Sequence, residues 1–161
     1  MPKRILFIPA GLAQVGTIKR AKELGYYTIA MDGDKAALGL KEAHESYVQD
    51  ILSIKEIINI FNKSKADGIV SISCDTAMYS ISQACNYLKI PGLKESNAIT
   101  SQNKFEQRQF LQKEGLKVPY YEKISEKKQA IKFWEKHNLK RMIIKPIDSS
   151  GSKGVSLVMN K

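Results

Sequence analysis

A chain of 161 residues, 43% hydrophobic and 26% charged, has the size and balance of one globular domain, or of one domain with part of a second. No apolar run reaches the ~20 residues that span a bilayer, and the short apolar stretch after Lys3 and Arg4 is too brief for a secretion signal. Membrane-spanning and secreted classes are therefore set aside, and a cytoplasmic protein is expected. Arg4 to Pro9 reads as a buried strand, and about Ala13 to Leu24 as a helix with Val15, Ile18, Ala21 and Leu24 near one face, stopped by Gly25. YTIAMD and SYVQ read as a second and a third strand joined by a polar loop. Ser53 is a candidate N-cap for a helix with Ile54, Ile57, Ile58 and Phe61 on its apolar stripe. GIVSIS reads as a fourth strand, and about Asp75 to Leu88 as another helix. Strands alternating with helices predict an α/β fold, a Rossmann-like parallel sheet with helices on both faces.

Pro91-Gly92 is a turn signal, and the texture changes there. SNAITSQNKFEQRQFLQKEG predicts one helix ended by Gly115, and VPYYEKI a strand. Ser125 is the expected cap of a helix reaching about His137. RMIIKP and GVSLVM predict a hairpin around a glycine-rich loop. The expected organisation is a Rossmann-like domain over 1–93 and a small, truncated α+β subdomain over 94–161.

Charge and cysteine content narrow the chemistry. Residues 1–100 hold 12 Lys+Arg against 10 Asp+Glu, whereas residues 101–161 hold 14 against 6. A basic half suggests an anionic partner. With no basic stripe interleaved with aromatics, nucleic acid is not expected. Cys74 and Cys85 read as free thiols of a reducing compartment. His44 and His137 have no nucleophile or carboxylate at a catalytic spacing, and Asp32, Asp34 and Asp75 do not form a metal triad.

The loop DSSGSKG, Asp148 to Gly154, has the composition of a phosphate cradle. Glycine permits φ > 0 and close backbone approach, consecutive N–H groups form an anion nest, and the serine hydroxyls with Lys145 and Lys153 add donors and charge. No helix follows, so this is not a Walker A loop. A second glycine pair, in PAGLAQVG, follows the first strand, but its spacing is GxxxxG rather than GxGxxG, which argues against a nicotinamide cofactor. Asp32 reads as the closure of a strand-end turn. An NAD(P)-dependent oxidoreductase remains an alternative.

Four stretches in order resemble the ATP-grasp superfamily of carbamoyl phosphate synthase-like and carboxylate–amine ligases: RILFIPAG…VGTIKRAKELGYYTIAMDGDKAALGLKEAH, SNAITSQNKFEQRQFLQKEGLKVP, RMIIKP and DSSGSKGVSLV. The resemblance implies an N-terminal part, a pre-ATP-grasp domain followed by the start of an ATP-grasp domain. It implies that Lys104 faces the phosphates of ATP, that Lys145 lies between adenine and the α-phosphate, and that Ser149, Ser150, Gly151, Ser152, Lys153 and Gly154 close over the β- and γ-phosphates. It further implies Mg²⁺, small carboxylate and amine substrates, an acylphosphate intermediate and a homodimer. Arg108 reads as a solvated or ion-pairing residue. The family's metal ligands have no counterpart before Lys161, so the expectation is a fragment, inactive alone. A non-catalytic nucleotide-binding module, or half of a split enzyme, is the other alternative.

Overall fold

The computed structural model describes residues 1–149 and 151–159, and the chain divides into two compact units, Met1–Ala98 and Ile99–Lys161. In the first unit, β1 (Arg4–Phe7), β2 (Tyr27–Asp32), β3 (Glu45–Val48) and β4 (Gly68–Val70) form one sheet in the order β3-β2-β1-β4. All of its pairings are parallel, with Leu6 level with Ile29 and Ile69. Between the strands run α1 (Leu12–Glu23), α2 (Leu38–Glu42) and α3 (Ile54–Lys63), and α4 (Met78–Leu88) follows β4.

Alternation along the strands sorts the core onto two faces. Leu6, Ile8, Ile29 and Met31 pack with Ile57, Ile60 and Phe61 of α3 and with Ile81, Ala84 and Cys85 of α4. The intervening Phe7 and Ala30 point the other way, against Ile18 and Ala21 of α1 and Leu40 of α2. This is why the strands read as continuous apolar runs. Glycine at 39 is required by close approach: its N–H donates to the Ala10 carbonyl at 2.7 Å, and a Cβ there would lie 2.5 Å from that oxygen. The short α2 was hidden in a segment that reads as a polar loop.

The helix α5 (Glu95–Gln102) carries the boundary between the units. The second unit contains α6 (Lys104–Lys113), α7 (Lys127–Lys136) and an antiparallel pair, β5 (Met142–Ile144) and β6 (Ser156–Val158). The single helix predicted before Gly115 is two. Asn103 leaves the helical conformation, and its side chain accepts from the N–H groups of Phe105 and Glu106, so an N-cap interrupts the run. The strand predicted over VPYYEKI does not form. Its tyrosines dock on helices instead: Tyr121 donates to Gln112 at 2.8 Å and meets Phe105 edge-on, and Tyr120 stacks on His137 with ring centroids 4.2 Å apart. The cap of α7 is Glu126, one residue after Ser125, in a reciprocal box with Gln129.

Candidate functional site

The glycine loop joins β5 to β6. Gly151, Ser152 and Gly154 have φ of 63°, 59° and 71°, left-handed values that glycine tolerates best. At Gly154 the demand is double, because a Cβ would also meet Pro146 Cγ at 2.8 Å. The backbone freedom in this stretch thus reverses the chain in a tight, solvent-facing turn, with Ser152 and Lys153 exposed. Ser150 lies outside the described residues.

The loop is tied back to α6 at two points. The Lys104 N–H donates to the Ile147 carbonyl at 2.7 Å, and the Lys104 ammonium donates to the Ser149 carbonyl. The Asn103 cap fixes where α6 begins, and so where Lys104 stands. Arg108 is one turn further along the same helix face. A cleft of about 770 Å³ opens between α6, the 119–124 segment, α7 and the β5–β6 hairpin.

The charges around this cleft are one-sided. Lys104, Arg108, Lys123, Arg141 and Lys145 line it, and Glu122 is the one acidic lining residue. Among the described residues no salt bridge engages any of the five cations; the ion pairs all lie in the first unit. Lys145 has its pKa pushed below the ordinary lysine value by desolvation, with the charges of Arg108 and Lys104 adding to the effect. Three cations therefore share one cleft, and among the described residues none of them forms a salt bridge. Lys104 and Lys145, expected from the sequence, meet here, and Arg108 joins them. Arg108, read from the sequence as solvated or ion-pairing, is half-buried and lines the cleft, and among the described residues it has no carboxylate partner. The signal available in the sequence was its i+4 spacing from Lys104.

The other polar residues singled out in the sequence have local roles. Asp32 accepts from the Ala10 N–H through Oδ2 and from the Asp34 N–H through Oδ1, closing the strand-end turn. The buried Gln14 donates from Nε2 to the Ile72 carbonyl. His44 accepts the Thr28 N–H at Nδ1 and stacks on Tyr27, while His137 ends α7 against Tyr120 and Phe133. The Cys85 thiol is buried, which pushes its pKa up. At the end of β4, the buried Ser71 hydroxyl has no hydrogen-bond partner among the described residues. Among the described residues no group of three or more His, Cys, Asp or Glu could hold a metal ion.

Residues 101–161 match the family model of the ATP-grasp domain. No curated protein matches the chain by sequence. Among solved structures, the chain is similar over its whole length to an N5-carboxyaminoimidazole ribonucleotide synthetase in complex with ADP (19% identity, TM-score 0.86, 42% of that protein covered). It is also similar to phosphoribosylglycinamide synthetase from Anaerococcus prevotii (25% identity, TM-score 0.72, covering 100% of this chain and 40% of that one). A third similar structure is L-amino acid ligase from Bacillus licheniformis (18% identity, TM-score 0.77, covering 99% of this chain and 38% of that one). The chain thus spans about two fifths of the length of these proteins.

Proposed function

We propose that this chain, which has the fold of the N-terminal part of ATP-grasp ligases and carries the ATP-grasp domain match over residues 101–161, supplies the phosphate-binding side of an ATP-dependent carboxylate–amine ligase. The observation that carries the reading is the cleft with five cations and one carboxylate, bordered by the glycine hairpin. In the proposed reaction the γ-phosphoryl group passes to a carboxylate oxygen and ADP leaves. An amine nitrogen then attacks the acyl carbon, and inorganic phosphate departs. Lys104 and Lys145 neutralise the polyphosphate and the charge that spreads over it during transfer. Ser149, Ser150, Gly151, Ser152, Lys153 and Gly154 close over the β- and γ-phosphates with backbone N–H and hydroxyl donors.

In this reading residues 1–93 form the pre-ATP-grasp domain and border the acceptor substrate. The loops after β1 and β4 lie at the C-terminal edge of the parallel sheet, where α/β folds bind ligands. Mg²⁺ would supply charge neutralisation to the phosphates in such a reaction. The described residues offer no ligand set for it, and chain 1–161 taken alone is expected to bind ATP without turnover.

Calorimetric titration with ATP tests the reading. Lys145→Ala should lower the affinity about tenfold or more, the worth of one hydrogen bond between charged groups, without lowering the melting temperature. Equal affinity in the wild type and the variant would overturn the assignment of Lys145. Binding of NADP⁺ in place of ATP would overturn the function.

A further inference from the structure

Arg108 is a half-buried cation of the cleft to which neither the glycine loop nor the resemblance assigns a role. Among the described residues it makes no hydrogen bond and no salt bridge, although a partly desolvated guanidinium is costly to leave without an anion. It lines the same cleft as Lys104, four residues earlier on α6, and as Lys145 at the end of β5. Lys104 spends its ammonium on the Ser149 carbonyl. Arg108 has no such engagement, so its planar fork of N–H donors is open to a ligand.

We propose that Arg108 is a phosphate-binding residue of this cleft, a third cation that grips the polyphosphate chain of the ligand independently of its nucleoside. The proposal rests on the nucleotide reading of the cleft and adds both a residue and a mode of recognition. A guanidinium offers two parallel N–H donors to one phosphate group, whereas the two lysines act as point charges. With the charge so concentrated, inorganic triphosphate has most of what the site recognises. The crowding of Lys145 by its neighbours agrees with this arrangement, since a bound polyanion relieves repulsion among all three cations.

The test is titration of chain 1–161 with inorganic triphosphate, ATP and adenosine. The wild type should bind triphosphate and ATP within about tenfold of each other, and both more weakly as salt is raised. Arg108→Gln should weaken triphosphate and ATP alike by about ten- to a hundredfold, and Arg108→Lys should restore part of the loss. In side-chain NMR the Lys145 ammonium should titrate at higher pH in Arg108→Gln than in the wild type, and triphosphate should raise it in the wild type. If Arg108→Gln and Arg108→Lys both bind triphosphate within twofold of the wild type while Lys145→Ala does not, the proposal fails and the nucleotide reading stands. If the wild type binds neither triphosphate nor ATP, both fail.

Discussion

Lys145 shows how one side chain reports the state of its surroundings. Its position after β5 is set by the Lys-Pro step, and its lowered pKa comes first from desolvation and then from Arg108 and Lys104. In the unliganded protein the ammonium is less favoured than in a free lysine, and a bound polyanion would favour it again. Anion binding is therefore coupled to proton uptake at alkaline pH. The affinity for ATP should be flat below the free-state pKa of Lys145 and fall as pH rises through it, a fall that Lys145→Met removes. Calorimetry in buffers of different ionisation enthalpy measures the proton count. The same sign holds for stability: the folded-state pKa lies below the unfolded one, so the unfavourable contribution of the charged lysine is present at neutral pH and is relieved as pH rises between the two values. Lys104 and Lys145 stood out in the sequence because each belongs to a short, ordered motif, and both line the cleft. Arg108 did not stand out, because a lone arginine on a polar helix gives no sign of whether its side chain meets water, a carboxylate or a cleft.

At the scale of elements, the four strands of the first unit and its helices α1, α3 and α4 were readable from local sequence patterns, whereas the short α2 was not. The errors fall where tertiary partners decided the outcome. VPYYEKI has a strand-like composition, yet Tyr120 and Tyr121 found aromatic and amide partners on α6 and α7. The break at Asn103 was visible as a cap-forming residue, but the helical pattern on both sides masked it. That break bears on the proposed site, because it fixes the start of the helix that carries Lys104 and Arg108. Asn103→Ala removes the acceptor for two N–H groups and should destabilise the second unit by about 1 kcal/mol. Continuation of α5 into α6 would also turn both cations away from the cleft, so affinity for ATP should fall as well. Urea unfolding and calorimetry on one preparation would separate the two effects.

On the scale of the whole molecule, the two units differ in what they can bury. The first has apolar side chains packed on both faces of its sheet. In the second, among the described residues, only Ala130 and Trp134 are buried, at 6% and 9% exposure. Residues 1–98 expressed alone should unfold cooperatively in urea, whereas residues 99–161 alone should show no cooperative transition; circular dichroism would decide both. The sequence disclosed the alternating strands and helices of the parallel sheet and the likeness to ATP-grasp ligases, since both rest on local patterns. It did not disclose this inequality, which depends on how many neighbours each apolar side chain meets. The β5–β6 hairpin has a corollary for handling the protein. Among the described residues each of its strands has a neighbour on one side only, and the facing pair Ile143 and Leu157 is 55% and 56% exposed. Such an edge is a template for other chains. Concentrated solutions of chain 1–161 should therefore scatter light increasingly with time, and a single Ile143→Lys change, placing a charge on that face, should keep them clear.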